Sequence, residues 1–242
     1  VRQAKSYIMQ MIYALQAVHS KKYIHGDIKP RNFLISSRNK IKLIDFGCSN
    51  KINKKNKSTQ IGTQGYNAPE LILGDTEYGI EADIWSLGCT IFEMLTKEKL
   101  IHHSSSNIDI ADKIVQIFGF PNKNDYPQFF SDPNNLFLSC FKYSKLTISD
   151  YLESKLPDKF KPMKNLLMNM LQLNPKRRIS LSDALNDPSL SDCECSKNLP
   201  LINLCEPNNF DSCSCKGTFS KKQIEALYNE LRPDKIVPLD IV

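Results

Sequence analysis

Apolar residues recur at helical spacing from the start of the chain. Ile8, Met11, Ile12, Leu15 and Val18 fall on one stripe and predict an amphipathic helix over Arg2 to Ser20. Tyr23 to Arg31 then reads as a loop rich in polar side chains. Two short apolar runs, Phe33 to Ile35 and Ile41 to Ile44, flank Ser36-Ser37-Arg38-Asn39-Lys40, the pattern of a β-hairpin. Cys48 to Tyr66 is lysine-rich and poor in apolar residues, and reads as a mobile loop. Between Glu81 and Thr96, Ile84, Trp85, Leu87, Ile91, Phe92 and Leu95 put apolar groups on most sides, as in a helix at the centre of a core. Shorter helices are predicted over Ile110 to Phe118, over Lys159 to Leu173 before Asn174-Pro175, and over Ser180 to Asn186. In the last, Ser180 is the N-cap, and Asp183 three residues on makes an imperfect capping box. Asn122 to Ser149 reads as irregular, punctuated by Pro127 and Pro133.

The character changes at Asp187. Ser, Asn, Asp, Cys and Pro dominate through Gly217, which predicts a loosely ordered tail. Ser220 to Leu231 carries Ile224, Leu227 and Leu231 on one stripe and predicts a short terminal helix. The chain therefore divides into a body over 1–190, a cysteine-rich segment over 191–218, and a terminal helix with an extended end over 219–242.

Composition narrows the class. The 242 residues are enough for one domain with a tail. The 41% hydrophobic and 24% charged content is ordinary for a globular protein. No apolar run approaches the roughly 20 residues that a membrane helix needs, so no membrane association is expected. The start, Val1-Arg2-Gln3-Ala4-Lys5, lacks a signal-peptide pattern, and with Val1 in place of Met a natural start is not expected here. A net charge of +6 permits acidic partners without requiring nucleic acid, and no direct nucleic-acid binding is expected. Of the eight cysteines, Cys193, Cys195, Cys205, Cys213 and Cys215 crowd the tail. Without a secretory signal, reduced thiols are expected rather than a disulfide framework. Zinc at these thiolates is the competing reading, but Cys-x-Cys is tighter than the usual structural zinc spacing, which favours the reduced tail.

The chemistry lies in three stretches: His25-Gly26-Asp27-Ile28-Lys29-Pro30-Arg31-Asn32, Asp45-Phe46-Gly47 and Ala68-Pro69-Glu70. Phosphoryl transfer needs a carboxylate to orient a hydroxyl and accept its proton, and Asp27 is the candidate. Lys29 can set a cation beside a transferring phosphate. Asn32 supplies an amide oxygen, and Asp45 a carboxylate, for Mg²⁺, which prefers oxygen ligands. Any one of these alone is an ordinary surface turn. Their ordered joint occurrence, with a hairpin between, is a long match. His25 is expected to pack in the core of its loop, and His19, His102 and His103 to lie on the surface or in loops.

Val1 to about Leu190 resembles eukaryotic serine/threonine protein kinases. The resemblance implies a mainly α fold, the C-terminal (large) lobe of the kinase fold with a short β-hairpin at the active site, and use of ATP and Mg²⁺. It implies that Thr63, in Gly62-Thr63-Gln64-Gly65-Tyr66, helps bridge Asp27 and Lys29 at the peptide-binding end of the activation segment. It also implies structural roles: Asp83 holds the catalytic-loop backbone from a buried helix, and Glu70 pairs with Arg178. A narrower resemblance, carried by Pro30 to Leu34, Gly62 to Tyr66 and Asn107 to Gly119, is to the cell-division-cycle-7 kinases of the replication-initiating DDK complex. Cyclin-dependent-like and casein-kinase-like kinases compete with it. The DDK resemblance implies a regulatory subunit, protein substrates with acidic sequence context and a nuclear rather than a cytoplasmic location. Lys51, Lys54, Lys55 and Lys57 suit acidic peptides electrostatically, although a solvated loop accounts for them equally.

Two departures stand out. Gly26 replaces the arginine that couples most of these kinases to a phosphate on the activation loop, which predicts weak dependence on phosphorylation at Ser58 or Thr59. No Gly-x-Gly-x-x-Gly occurs, so the N-terminal lobe is read as absent from this chain. A fragment of a longer kinase, an incomplete gene model and a lobe-less docking module are the three explanations. The 242 residues alone are expected to turn over ATP negligibly.

Overall fold

The computed structural model describes residues 1–55, 57–102, 104, 106–120, 123, 130 and 147–191, and the backbone of 237–238. Helix α1 spans Arg2–Ser20 and leads into a two-residue strand, β1 (Tyr23–Ile24). A 3-10 turn over Pro30–Asn32 precedes the hairpin β2 (Phe33–Ile35) and β3 (Ile41–Leu43), with Phe33 opposite Leu43 and Ile35 opposite Ile41. Strand β4 (Asn50–Lys51) returns to pair antiparallel with β1. Helices α2 (Pro69–Ile72), α3 (Glu81–Thr96), α4 (Asn107–Phe118), α5 (Ile148–Lys155), α6 (Lys164–Met170) and α7 (Leu181–Leu185) follow, and β5 (Val237–Pro238) pairs with the free side of β2.

The predicted stripe of α1 is its buried face: Ile8, Met11, Ile12, Leu15 and Val18 are all buried. One polar residue on that face, Gln10, ties the helix to the hairpin. Its Nε2 donates to the Asn39 carbonyl at 3.1 Å, and its Oε1 accepts from the Ile41 N–H at 3.0 Å. Helix α3 runs through the core as its composition predicts. Trp85, Leu87, Ile91 and Phe92 are wholly buried, each stabilising the fold by about 1.5–3 kcal/mol through removal of apolar area from water.

Four expectations are corrected. Lys159 to Leu173 is not one helix: Asp158–Met163 is a 3-10 turn containing Pro162, and α6 starts only at Lys164. Proline lacks the N–H that an α-helical ladder needs, so the tighter turn takes its place. Helix α5 begins at Ile148, inside the stretch read as irregular, behind a complete Thr147/Asp150 capping box. Pro188–Leu190 forms a buried 3-10 turn, so the packed body continues past Asp187. Cys48 to Tyr66 is not a free loop, because β4 pins its first part and Lys57 within it is only 2% exposed. The terminal helix predicted over Ser220 to Leu231 and the tail cysteines lie outside the described residues. Among the described residues, Cys48 and Cys89 are free thiols, and no helix is long and apolar enough to cross a membrane.

Candidate active site

The loop after β1 is shaped by a carboxylate from α3. Asp83, 2% exposed, accepts from the backbone N–H of His25 at 2.8 Å and of Gly26 at 2.9 Å. A buried carboxylate persists because such charge-assisted bonds replace its lost hydration. The same carboxylate accepts from His19 Nε2 at 2.8 Å, which joins the end of α1 to the loop. His19 is thus buried rather than on the surface, correcting the sequence expectation. The signal was present, since His19 stands four residues after Leu15 and seven after Ile12, on the apolar stripe itself. His102 is exposed as expected, and His103 lies outside the described residues.

His25 is fully buried. Its Nε2 faces the Ile44 carbonyl at 3.1 Å, which can only accept, so Nε2 carries the proton. Nδ1 is then free to accept from the Asp27 N–H at 3.3 Å. Burial pulls the imidazole pKa below its ordinary 6.5, against the pull of the Asp83, Asp27 and Asp45 carboxylates. The neutral ring therefore acts as a splint between Asp27 and Ile44. Ile44 is held from its other side as well, its N–H donating to the Asn32 carbonyl at 2.9 Å.

With the loop fixed, three side chains converge. Lys29 Nζ donates to Asp27 Oδ2 at 2.7 Å and to Thr63 Oγ1 at 2.7 Å. Thr63 Oγ1 donates to Asp27 Oδ1 at 2.7 Å. Asn32 joins from the 3-10 turn, its Nδ2 donating to the Asp27 carbonyl at 2.7 Å and to Asp27 Oδ2 at 3.2 Å. Because a carbonyl only accepts, the amide nitrogen must face Asp27, which leaves Asn32 Oδ1 directed elsewhere. Asp45 stands apart from this cluster, exposed and at a φ of 65°, its Oδ1 accepting from Gly47 N at 3.3 Å. Aspartate tolerates this left-handed conformation better than most side chains. Asn32 and Asp45 thus offer an amide oxygen and a carboxylate, a donor set that suits Mg²⁺ completed by phosphate oxygens and water. Among the described residues, no group of three or more His, Cys, Asp or Glu forms an all-protein metal cage.

The segment from Cys48 to Glu70 seats on this loop by backbone contact. Gly26 and Gly62 both have positive φ, 79° and 73°. A Cβ on Gly26 would lie 2.7 Å from the Cys48 carbonyl oxygen, and one on Gly62 would lie 2.7 Å from the Gly26 carbonyl oxygen. Neither position has room for a side chain. Asn67 braces the contact, its Nδ2 donating to the Ile61 carbonyl at 3.0 Å. Ser58 is exposed and Thr59 half-buried, and neither bonds to the Asp27 cluster. Behind the segment, Glu70 and Arg178 form a two-pronged ion pair at 2.6 and 2.7 Å, with their side chains 2% and 0% exposed. The arrangement brings a carboxylate, a cation and a hydroxyl together, with two candidate metal ligands from the adjoining turns.

A family model described as "Protein kinase domain" matches residues 1–190. Serine/threonine-protein kinase ppk23 of Schizosaccharomyces pombe is 33% identical over 188 residues, covering 77% of this chain and 46% of the relative. Cyclin-dependent kinase 11 of Dictyostelium discoideum is 38% identical over 188 residues, covering 76% of this chain and 51% of the relative. The chain thus spans about half the length of these curated relatives. Among solved structures, the crystal structure of the yeast RNA Pol II CTD kinase CTDK-1 complex matches with a TM-score of 0.69 at 28% identity, covering 77% of this chain and 61% of that one. The CAK complex from Chaetomium thermophilum bound to ATP-gamma-S matches with the same TM-score at 24% identity, covering 78% and 58%, and speaks to the fold alone.

Proposed function

The chain belongs to the protein kinase family, and from that premise we propose that it carries the catalytic and peptide-binding half of a serine/threonine protein kinase. The observation that carries the reading is the three-way contact of Asp27, Lys29 and Thr63, which joins residues up to 36 positions apart. A binding module has no physical need for that arrangement. In the proposed reaction, Asp27 orients a serine or threonine hydroxyl and takes its proton on a carboxylate oxygen. Lys29 holds positive charge beside the transferring group. Thr63 fixes the distance between the two and positions the substrate backbone. Asn32 and Asp45 would hold Mg²⁺, which would offset the charge of the phosphoryl group that ATP supplies. Asp83, Glu70 and Arg178 keep loop and platform in place without touching substrate. Residues 1–190 form the large lobe of the domain, and turnover also requires a glycine-rich loop and a strand lysine. The cysteine-rich stretch over 191–218 and the end over 219–242 are accessory to it.

The relatives named as cyclin-dependent kinases support a cyclin-dependent-like enzyme with a regulatory subunit of the cyclin kind, acting in cell-cycle or transcription control. The finer DDK-type reading, with a role in replication initiation, acidic substrates and a nuclear location, rests on the residues over 30–34, 62–66 and 107–119 and on the lysines near 51–57.

The test uses the whole protein that contains this chain, purified with its copurifying subunits and given labelled ATP and a peptide panel. Label is expected on serine and threonine and not on tyrosine, and Asp27→Asn is expected to lower the rate by roughly 10²–10⁴-fold. Equal transfer by the wild type and Asp27→Asn would sink the reading. A preference for acidic flanks favours the DDK-type subfamily, and copurification of a cyclin-fold subunit favours the cyclin-dependent one.

A further inference from the structure

Lys57 is an unusual residue for the middle of a lysine-rich segment. Its neighbours Lys54 and Lys55 are exposed, yet Lys57 is 2% exposed. Burying an ammonium is costly unless it gains hydrogen bonds or a compensating field. Among the described residues no carboxylate pairs with it. Its Nζ donates to the Lys54 carbonyl at 2.9 Å and lies 5.1 Å from the centre of the Tyr78 ring, a cation–π contact shielded from water.

Tyr78 is the post to which the segment is tied. It is 3% exposed and lies between α2 and α3, outside the segment itself. Its hydroxyl donates to the Ser58 carbonyl at 3.1 Å and receives Asn50 Nδ2 at 3.5 Å. Asn50 in turn donates to the Cys48 carbonyl at 3.2 Å and accepts from Lys54 Nζ at 3.0 Å. The Lys57 N–H donates to the Thr76 carbonyl at 3.1 Å. Burial pushes the phenol pKa up to about 12, so the ring faces Lys57 as a neutral quadrupole with its hydroxyl proton available to Ser58.

From Lys57 the chain has six residues to reach Thr63. Ile61 packs at Gly26, Gly62 lies on the Gly26 carbonyl, and Thr63 bonds to Asp27 and Lys29. The run is therefore held at both ends. One end is the Asp27 cluster, and the other is Lys57 on Tyr78.

We propose that Lys57, clamped on Tyr78, is a positioning residue for phosphoryl transfer, supplying from within the segment the cationic tether that Gly26 cannot provide from the catalytic loop. The proposal rests on the kinase reading of the Asp27 site. It identifies the segment's order as a property of the unmodified chain, with a lysine and a tyrosine ring in place of a phosphate and an arginine.

The test compares wild type, Lys57→Met and Lys57→Arg in the whole protein. Methionine keeps the length and apolar stem without the charge, and arginine keeps the charge, the donors and the cation–π contact. Lys57→Met is expected to lower kcat/KM for peptide about tenfold, the scale of a single cation–π contact between its exposed and fully shielded limits. KM for ATP is expected to stay within about twofold and Lys57→Arg to recover most of the loss, because the tether acts on the peptide platform through its charge. Amide exchange over 57–66 is expected to quicken in Lys57→Met and not in Lys57→Arg. Unchanged exchange in Lys57→Met, or equal loss in both variants, would overturn the proposal. Exchange is read whether or not phosphate is transferred. A wild type with no transfer but with charge-dependent exchange would therefore sink the kinase reading while supporting the clamp.

Discussion

Replacing Arg178 with methionine tests the core beneath the candidate active site. In the folded protein the guanidinium is fully buried and makes five bonds. Two go to the Glu70 carboxylate at 2.6 and 2.7 Å, and the others to the carbonyls of Glu81 at 2.8 Å, Gln172 at 2.9 Å and Leu173 at 3.4 Å. It also lies over the Trp85 ring, 5.2 Å from its centre. Methionine approximates the stem but strands a carboxylate that is 2% exposed. Breaking such a pair from one side costs about 3–5 kcal/mol, and the orphaned carbonyls push the expectation to the upper end. That is a large share of the roughly 5–15 kcal/mol that separates folded from unfolded domains. Urea unfolding followed by Trp85, the single tryptophan, is the assay. With a slope near 2 kcal/mol per molar urea, the midpoint is expected to fall by about 2 M. Glu70→Gln removes the stranded charge, so the double variant is expected to be more stable than the sum of the singles by over about 1 kcal/mol. A cost below about 1 kcal/mol for Arg178→Met, or strict additivity, would refute the buried-pair argument.

Three further predictions concern the catalytic loop. His25 has a lowered pKa in the folded state because of burial, so below pH 6.5 the unfolded chain takes up a proton that the native ring refuses. Its contribution to stability is therefore present above pH 6.5 and lost as pH falls towards the depressed native value, at up to about 1.4 kcal/mol per pH unit. Urea midpoints at pH 7.5, 6.5 and 5.5 should show this slope, and His25→Asn should flatten it. Gly26→Ala, at a φ of 79° with its Cβ 2.7 Å from the Cys48 carbonyl, is expected to destabilise by about 1–3 kcal/mol in thermal unfolding, whereas Gly74→Ala, where a Cβ meets nothing within 4 Å, should cost less. Alanine at both Ser58 and Thr59 is expected to leave peptide kinase activity of the whole protein within about threefold, since no arginine at position 26 reads a phosphate there. Abolished activity in that variant would contradict it.

Local order along the chain made the candidate chemistry legible. Asp27, Lys29 and Asn32 lie within six residues, and one turn of backbone brings them together, so their spacing was readable without a fold. The same holds for α3, whose apolar pattern matches its observed bounds Glu81–Thr96, because burial on all sides leaves a dense and unmistakable trace. Short elements left little trace. Strands β1 and β4 are two residues each, and α5 rests on a cap rather than on a long stripe. Periodicity needs more turns than these offer.

Long-range pairing was decided only in three dimensions. His19 and Asp83 are 64 positions apart, and the histidine alone gave no sign of which carboxylate it meets. Lys57 sits among lysines that face water, and its burial against Tyr78 depends on where the segment after α2 passes. Periodicity states which face of an element is apolar. It does not state which polar group on another element will satisfy a buried donor, because that choice is made by packing and by the cost of leaving the donor unpaired. The sequence by itself therefore pointed to the candidate reacting groups and to the kinase family. The tertiary structure decided what holds them: a neutral His25 splint, the Asp83 bridge to His19, the Gly26–Gly62 backbone contact and the Lys57–Tyr78 clamp.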